Sequence, residues 1–272
     1  MPDDLYLKLL FRRRMGHRLN LRNPTTFNEK LQWLKLNDRN SQYGKMVDKY
    51  EVRDYISETI GSEYLIPLLG VYNSFDEIDF SSLPNQFVLK CTHDSGGLVI
   101  CKDKSQLDID KAKMVINQSL KRDYYFLGRE WPYKNIEPRI ICEKYMVDES
   151  KEELNDYKIM CFNGKAKCTF VCSNRGSSSG LNIDIYDIDW NLMPVQRPGS
   201  PNSGIYTKKP KNYTQMIKYA EILAENNKFL RVDFYEINNQ LYFGELTFYP
   251  NSGFKGFEPS EYDVLFGNWI EL

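Results

Sequence analysis

The chain has 272 residues and a formal net charge of −1, with 36 lysines and arginines against 37 aspartates and glutamates. This balance argues against a general nucleic-acid binder, which is usually basic, and no apolar run approaches the length of a membrane span. The six cysteines form no C-x-x-C pair, and the two histidines are too few for a multi-histidine metal centre. We therefore expect a reduced cytoplasmic protein that folds as one large domain or two small ones.

The first 60 residues have helical patterns. Thr26 followed by Glu29 is a capping-box signature, and apolar residues then recur at helical spacing. A second helix is predicted over residues 43–59, because Gly61 follows as a stop signal.

Short strands are predicted after residue 64. They lie in the segments YLIPLLGVY, QFVLKC, LVICKD and PRIICEKYM, with a helix over residues 108–121 between the last two. A hairpin that turns at Asn163 and Gly164 is predicted in YKIMCFNGKAKCTFVCS, a loop in RGSSSG and a helix over residues 213–226. This mixture of hairpins and helices favours an α+β fold with largely antiparallel sheets.

Two further strands are predicted in FLRVDFYEINNQLYFGELTFYPNSG, each with an acid in an apolar run. A turn centred on the second asparagine would pair Ile237 with Leu241. The same register places Asp233 opposite Glu245 on one face of the sheet. Opposed carboxylates repel, and Mg²⁺ bound to a nucleotide typically takes one or two carboxylates. The alternative is an edge hairpin with solvated acids, one of them paired to Arg231.

A lysine precedes a loop with two adjacent glycines in FVLKCTHDSGGLVIC. Lys90 closes the first strand, and Gly96 and Gly97 open the second. Backbone N–H groups in such a loop can form an anion-binding nest, and lysine supplies a compact charge for phosphate. The alternative is a plain hairpin with an exposed lysine, since neither a P-loop nor a G-x-G-x-x-G fingerprint is present.

Lys90 with its glycine loop, IICEKYM, DYKIMCFNGKAK and RVDFYEINNQLYFGELTFYPNSG resemble, in this order, the ATP-grasp superfamily. FNEKLQWLKL, DKYEVRDYI and REWPYKNIEPRIICEKYM are similar to its teichuronopeptide-biosynthesis branch, the TupA-like family, from about Pro24 to the end. The resemblance implies an ATP-grasp fold in which two α+β subdomains grip a nucleotide. We expect a helical segment over residues 1–60, a small subdomain over 61–146 and a large subdomain over 147–272.

The resemblance also implies ATP and Mg²⁺ as cofactors, together with a set of site residues. Lys90 and Arg231 would be catalytic, and Arg231 would stabilise the oxyanion of a tetrahedral intermediate. The expected nucleotide-binding residues are Lys49, Lys90, His93, Ser95, Gly96, Gly97, Glu143, Lys144, Tyr145, Met146 and Lys158. The expected metal ligands are Asp233 and Glu245, with Thr247 where many relatives have asparagine, or Asn251. The candidates for gripping an acidic substrate are Arg129, Glu130, Tyr133, Arg139 and Arg175.

The implied reaction is ATP-dependent ligation of a carboxylate to an amine through an acyl phosphate. The substrates would be an acidic sugar, such as a uronic acid of a bacterial cell-surface polysaccharide or its precursor, and an amine or amino acid. No nucleic acid is expected as a partner. The five arginines in LKLLFRRRMGHRLNLR are compatible with peripheral contact with an anionic membrane or with polysaccharide-synthesis enzymes, or with a packed helix that has a solvated basic face.

Three other functions stay open at this stage. The same nucleotide site would serve a kinase that phosphorylates a sugar hydroxyl, or a non-catalytic ATP-binding module of a polysaccharide assembly complex. A glycosyltransferase would use the acids in NIDIYDIDW, namely Asp184, Asp187 and Asp189. Their alternating pattern more simply predicts that they lie on the solvated face of a strand.

Overall fold

A computed structural model describes residues 1–149, 154–174 and 180–272. The chain divides into a large unit, Met1–Arg39 with Asp148–Leu272, and a small unit, Asn40–Val147. The helices described are α1 (Asp3–Met15), α2 (Phe27–Asn37), α3 (Gln42–Val47), α4 (Val52–Thr59), α5 (Ile109–Leu120), α6 (Tyr125–Gly128), α7 (Tyr213–Leu223) and α8 (Glu261–Asn268). The strands are β1 (Leu68–Tyr72), β2 (Phe87–Cys91), β3 (Leu98–Cys101), β4 (Ile140–Lys144), β5 (Asp156–Phe162), β6 (Lys165–Ser173), β7 (Asn182–Asp187), β8 (Phe229–Ile237) and β9 (Gln240–Thr247).

The small unit is built on a four-stranded antiparallel sheet in the order β1-β4-β2-β3. Helix α5 packs against β2 and β3. It begins after Asp108, whose side chain accepts a hydrogen bond from the N–H of Lys111, as an N-cap residue should. The buried core between this helix and the sheet includes Phe87, Leu89 and Ile116.

The large unit is built on a five-stranded antiparallel sheet in the order β7-β6-β5-β8-β9. Helix α7 packs against β5, β6 and β8, and α2 packs against α8. The capping box predicted from Thr26 and Glu29 is present at the start of α2. Strand β8 lies inside the sheet between β5 and β9, so its side chains have neighbours on both sides. The predicted α+β fold with antiparallel sheets is therefore confirmed.

The continuous helix predicted over residues 43–59 is wrong, because the helix is interrupted at Asp48. Helix α3 ends at Val47 and α4 begins at Val52. The Oδ1 atom of Asp48 accepts hydrogen bonds from the N–H groups of Tyr50 and Glu51, both at 2.8 Å. An aspartate that bonds to nearby backbone in this way competes with the helical hydrogen bonds.

The helical segment predicted over residues 1–60 is distributed over both units, with residues 1–39 in the large unit and 40–60 in the small one. Its first part belongs with the large unit because α1 and α2 pack together and α2 packs against α8. The predicted RGSSSG loop lies outside the described residues, apart from Gly180. All six cysteines are free and buried. No helix among the described residues is long and apolar enough to cross a bilayer.

Candidate functional site

Three charged side chains lie side by side across the sheet of the large unit. Lys158 on β5 pairs with Asp233 on β8, and Asp233 pairs with Glu245 on β9. Directly opposed residues of neighbouring strands have side chains on the same face. The predicted pairing of the two acids is therefore confirmed, and we call this row of three residues the charged rung.

The register of the hairpin reaches this pairing by a different route from the predicted one. The turn consists of Asn238 and Asn239, both at positive φ, and it pairs Ile237 with Gln240 instead of Leu241. The register then shifts by one residue at Gly244, between Asp233 and Phe234 on the partner strand. A bulge inserts one extra residue into one strand. The predicted pairing of Ile237 with Leu241 is thus wrong. The bulge shifts the register by one residue, so that Asp233 and Glu245 still pair as predicted.

Arg231 connects the two acids of the rung. Its Nε donates to Oδ1 of Asp233 at 2.7 Å, and its Nη2 donates to Oδ2 of Asp233 at 2.8 Å and to Oε1 of Glu245 at 2.5 Å. Lys158 also contacts Asp233, and its Nζ lies 2.8 Å from Oδ2 of Asp156. Arg231 is thus paired to both acids, not to one of two solvated acids as in the alternative from the sequence.

Burial and neighbouring charges act in opposite directions on the ionisation of this group. Burial raises the pKa of Asp233 to about 6, although Arg231 and Lys158 oppose the shift. For Lys158, burial and the charge of Arg231 lower the pKa, but the surrounding carboxylates outweigh both and the pKa is raised. The two cations therefore stay charged, and Asp233 becomes the group that takes up a proton as the pH falls.

The donor set of the charged rung fits Mg²⁺. The rung and its two charged neighbours, Asp156 and Arg231, together have three carboxylates and two cations. Their net charge is −1 when all five groups are ionised. The Glu245 side chain is 41% exposed, so one carboxylate of the pair is open to solvent. The described residues contain no group of three or more metal-ligating side chains. Two carboxylates are what Mg²⁺ needs when phosphate oxygens and water supply the remaining ligands.

The two alternative metal ligands have different surroundings. The hydroxyl of Thr247 lies 3.4 Å from Oε1 of Glu245, close enough to act with the acids. The Oδ1 atom of Asn251 instead accepts a hydrogen bond from Nη2 of Arg197 at 2.9 Å. Thr247 thus contacts an acid of the rung, whereas the contact shown for Asn251 is with Arg197.

The loop between β2 and β3 of the small unit is held by Asp94. This carboxylate accepts hydrogen bonds from the Ser119 hydroxyl and from the N–H of Gly97, the latter at 3.1 Å, and Lys49 donates to the Asp94 carbonyl oxygen. Burial raises its pKa, but these hydrogen bonds prevail and hold the pKa of Asp94 below its usual value. A Cβ on Gly97 would lie 2.5 Å from the Cys91 sulfur, so this glycine is required by close packing.

The predicted phosphate-binding residues of the loop divide into buried and exposed groups. His93 is 3% exposed, and its Nε2 lies 3.2 Å from the carbonyl oxygens of Ser119 and Arg122. Its imidazole therefore contacts the α5 end, not a surface. Ser95 and Gly96 are exposed. The backbone N–H of Gly96 interacts with the Asp94 carboxylate, and the Ser95 hydroxyl lies 3.0 Å from the Tyr124 hydroxyl. The exposed Ser95 hydroxyl is thus the polar group of these two residues that can meet an anion.

Lys90 lies beside the loop and shares a carboxylate with a second cation. Its Nζ is 2.6 Å from Oε2 of Glu143 on β4, and Oε1 of Glu143 is 3.2 Å from Nη1 of Arg53. Two cations around one carboxylate leave a positive charge, and the Lys90 side chain is 27% exposed. That charge is available to a phosphate group.

The residues after Glu143 were predicted to bind adenine mainly through backbone groups. The N–H of Lys144 donates to the carbonyl oxygen of Pro67 at 2.9 Å, and the Lys144 side chain is exposed. Tyr145 and Met146 are half-buried. Their contact with adenine stays a prediction.

Two predicted substrate residues lie among aromatic rings of the small unit. The guanidinium carbon of Arg129 is 4.7 Å from the Phe126 ring centroid. The Tyr133 ring centroid is 4.7 Å from that of Tyr124. Glu130 between them is buried.

Arg139 is the predicted substrate residue that precedes β4. Nη2 of Arg139 is 2.8 Å from Oε1 of Glu51 and its guanidinium carbon is 4.9 Å from the Tyr50 ring centroid. Arg175 lies outside the described residues. Substrate contact stays a prediction for all of these residues.

Sequence reasoning missed three charged partners of the predicted residues: Asp156, Asp94 and Arg53. Asp156 precedes Lys158 by two residues in a strand, which places both on one face, so the alternation in DYK is a signal that could have found it. Asp94 stands inside the glycine loop itself. Arg53 is distant from Glu143 in sequence, and only the tertiary fold brings them together.

The acids of NIDIYDIDW have structural roles in the large unit. Asp184 is 1% exposed and accepts hydrogen bonds from the N–H and the hydroxyl of Ser203 at 2.9 and 2.6 Å. Asp187 accepts from the N–H groups of Asp189 and Asn191 at 3.0 and 2.8 Å, as turn aspartates do. The predicted solvated position is thus wrong for Asp184, and these contacts give no support to a glycosyltransferase.

Comparison with solved structures finds distant likenesses. The D-alanine–D-alanine ligase of Bacillus anthracis complexed with ATP is 14% identical, with 75% of this chain and 55% of that chain covered and a TM-score of 0.44. The D-alanine–D-alanine ligase of Helicobacter pylori is 12% identical, with 90% and 69% covered and a TM-score of 0.44. The N5-carboxyaminoimidazole synthase of Aspergillus clavatus is 11% identical, with 76% and 46% covered and a TM-score of 0.42. The chain thus spans about half the length of the first and third of these proteins.

Comparison at the level of sequence gives one clear result. No protein of curated function matches the chain. The model of one protein family, described as TupA-like ATPgrasp, matches residues 29–271 and so covers most of the chain. The chain therefore belongs to the TupA-like ATP-grasp family.

Proposed function

We propose that this protein is an ATP-dependent carboxylate–amine ligase. The observation that carries the proposal is the charged rung with Arg231, in a chain that belongs to an ATP-grasp family. The γ-phosphoryl group of ATP is transferred to a substrate carboxylate oxygen, giving ADP and an acyl phosphate. The amine then attacks the acyl carbon, the tetrahedral intermediate expels phosphate, and the nitrogen loses a proton to leave an amide.

The residues of the small unit would hold the nucleotide. Lys90 would place its ammonium against a phosphate. Glu143 contacts both Lys90 and Arg53, and one carboxylate neutralises only one of these two cations, so a positive charge remains for the phosphate. The Ser95 hydroxyl would donate from the exposed part of the loop. Charge spreads over the phosphoryl oxygens during transfer, so fixed cations near them stabilise the transition state.

The residues of the large unit would serve the reacting carboxylate. Asp233, Glu245 and the Thr247 hydroxyl would hold Mg²⁺, which when bound neutralises phosphate charge. Arg231 would stabilise the oxyanion that forms when the amine attacks, since a guanidinium is always charged and donates several hydrogen bonds. Lys158 would add a second positive charge on the same face.

The proposed ligase needs no cysteine nucleophile. Only the thiolate is nucleophilic. All six cysteines are buried, and burial raises the pKa of Cys91 to about 11 and of Cys142 to about 12. The acyl phosphate route needs no covalent protein intermediate, so it does not require a cysteine thiolate.

We further propose that the carboxylate belongs to a uronic acid of a bacterial cell-surface polysaccharide or its precursor and that the amine is an amino acid. The family's relation to teichuronopeptide synthesis supports this choice. Arg129, Tyr133 and Arg139 are the candidates for binding the acidic sugar. The free cysteines support a reducing compartment, the cytoplasm.

The surface of helix α1 is evidence for peripheral contact with an anionic membrane or with polysaccharide-synthesis enzymes. The helix buries Leu7 and Phe11 against the rest of the large unit, while Leu5 and Leu9 are 46% and 55% exposed. Its last turn carries three arginines. Exposed leucines beside arginines suit the interface of an anionic bilayer.

A hydroxylamine trap tests the ligase proposal. The enzyme is incubated with ATP, Mg²⁺ and a panel of uronic acids, with hydroxylamine as the amine. We expect a hydroxamate and one phosphate released per hydroxamate, because hydroxylamine intercepts an activated carboxylate. Stable phosphate on the sugar would instead identify a kinase, and ATP binding without turnover on any substrate would identify a binding module.

A further inference from the structure

A second group of cations lies in the large unit, around the turn that follows β9. We call Arg197, Ser200, Asn251 and Lys255 the cationic cluster. Arg197 is 3% exposed, its Nη2 donates to Oδ1 of Asn251 at 2.9 Å, and its guanidinium carbon lies 4.3 Å from the Phe257 ring centroid. Its Nη1 is buried and has no hydrogen-bond partner in the described part of the chain. The two N–H donors on this nitrogen are therefore unused.

Lys255 is the more accessible cation of the cluster. Its half-buried side chain makes a single hydrogen bond to the described residues, from Nζ to Oγ of Ser200 at 3.0 Å. An ammonium group has three donors. Across residues 1–149, 154–174 and 180–272, no carboxylate oxygen lies within 4.0 Å of the charged nitrogens of Arg197 or Lys255.

The turn that carries Asn251 is fixed in an uncommon backbone conformation. Asn251 and Ser252 have φ values of 51° and 55°. Lys35 donates to the carbonyl and hydroxyl oxygens of Ser252 at 2.8 and 2.9 Å, and Gln32 donates to the carbonyl oxygen of Gly253 at 2.8 Å. Left-handed backbone at residues other than glycine occurs often at ligand-binding sites.

The cations of the cluster repel one another and are poorly solvated. Arg197 is 3% exposed, so its guanidinium has little contact with water. Burial and the charge of Arg197 lower the pKa of Lys255. The charge of Asp263 acts on Arg197, but Oδ1 of Asp263 accepts hydrogen bonds from the N–H and side-chain amide of Asn28 at 3.2 and 2.7 Å. Buried charges without a partner are costly, and an anion would relieve that cost.

We propose that the cationic cluster binds a second carboxylate, one that belongs to a substrate but is not the group activated by ATP. Lys255 contacts this carboxylate. Arg197 is a positioning residue that holds Asn251, and its buried positive charge adds to the attraction of the cluster for the carboxylate. The proposal rests on the proposed ligase function. The carboxylate comes either from the amino acid that supplies the amine or from a neighbouring unit of an acidic saccharide.

Calorimetric titration of the full chain with four probes tests the proposal, in the presence of Mg²⁺ and a non-hydrolysable ATP analogue. The probes are L-glutamate, its dimethyl ester, digalacturonate and its methyl ester. We expect the wild type to bind one acid and to discriminate against its ester. Lys255→Gln should weaken binding of that acid by about 10-fold to 100-fold, the range for a lost charge-assisted hydrogen bond. Preference for glutamate or for digalacturonate identifies the source of the carboxylate.

Two control variants keep the test independent of folding. Lys208→Gln removes an exposed lysine of the same unit and should bind the acid as the wild type does. Lys255→Arg keeps the charge and should retain the discrimination between acid and ester. A purely structural role of Lys255 would weaken acid and ester alike and would overturn the proposal.

Two further results would also overturn it: equal affinity of Lys255→Gln and wild type for the acid, and no binding of either acid by the wild type. Failure of the ligase function is read separately, from nucleotide binding and from the hydroxylamine trap with wild-type enzyme. A wild type that forms hydroxamate but ignores the second carboxylate would refute this inference alone.

Discussion

Asp233→Asn should cost both folding stability and metal binding, whereas Glu245→Gln should cost metal binding alone. The Asp233 side chain is 2% exposed and both its oxygens accept from Arg231, while Lys158 contacts it as well. Removing one partner of a buried ion pair costs about 3–5 kcal/mol. Burial raises the pKa of Asp233 to about 6, which shows that the ionised carboxylate is itself unfavourable in this position. Substitution removes that buried charge and so offsets part of the loss, and we expect a cost at the lower end of this range, about 3 kcal/mol. Domains are stable by only about 5–15 kcal/mol, so the loss is large.

Glu245→Gln is the matched variant, because the Glu245 side chain is 41% exposed and exposed ion pairs contribute about 0–1 kcal/mol. Urea unfolding measures the stability of each variant, and the Mg²⁺ dependence of ATP turnover measures metal binding. Both variants should lose Mg²⁺-dependent turnover. An Asp233→Asn protein with the wild-type free energy of unfolding would show that Arg231 and Lys158 do not depend on this carboxylate. Full turnover by Glu245→Gln would refute the metal site.

Three further results are expected. Gly97→Ala should lower the free energy of unfolding by about 1–3 kcal/mol, because the added Cβ would lie 2.5 Å from the Cys91 sulfur. Gly96→Ala is the control: its closest contact would be the end of the flexible Arg122 side chain, so it should cost less than about 0.5 kcal/mol. Equal costs for the two variants in urea unfolding would contradict this reasoning. Mg²⁺ affinity should fall as the pH falls through about 6, because a proton on Asp233 competes with the metal, and a flat profile of the Mg²⁺ requirement against pH would contradict the assignment. Lys90→Ala should weaken ATP binding about 10-fold, measured by calorimetry, and unchanged affinity would exclude its phosphate role.

The pairing of the two acids could be predicted from the sequence, although the details of the hairpin could not. Alternation in RVDF and in GELT identifies the faces of two strands, and these patterns are local. The turn register was wrong by one residue because two asparagines both accept positive φ. Gly244 within a strand was the available sign of a bulge. The two departures offset each other, so Asp233 and Glu245 still face one another.

Partners distant in sequence are the part of the site that the sequence could not predict. Lys158 was expected to contact phosphate, and its contact with Asp233 depends on β5 lying next to β8, an arrangement set by the whole sheet. The same holds for Arg53 and Glu143, which meet only through the fold of the small unit. Asp48 is a different case, since its side chain bonds to the backbone of the next residues and could end a helix at any such position.

Competition between Arg231 and a cation for the same oxygens would support the proposed oxyanion role of this arginine. Its Nη2 contacts both Asp233 and Glu245, so a metal bound to the same oxygens would compete with Arg231 for their electron density. Binding of a cation to the pair would weaken these hydrogen bonds, so that Arg231 could be released to donate to another acceptor. A released guanidinium that is held near the acids is what a developing oxyanion requires. A proton on Asp233 would compete with the metal as well as with the arginine, so the Mg²⁺ requirement should rise as the pH falls through about 6.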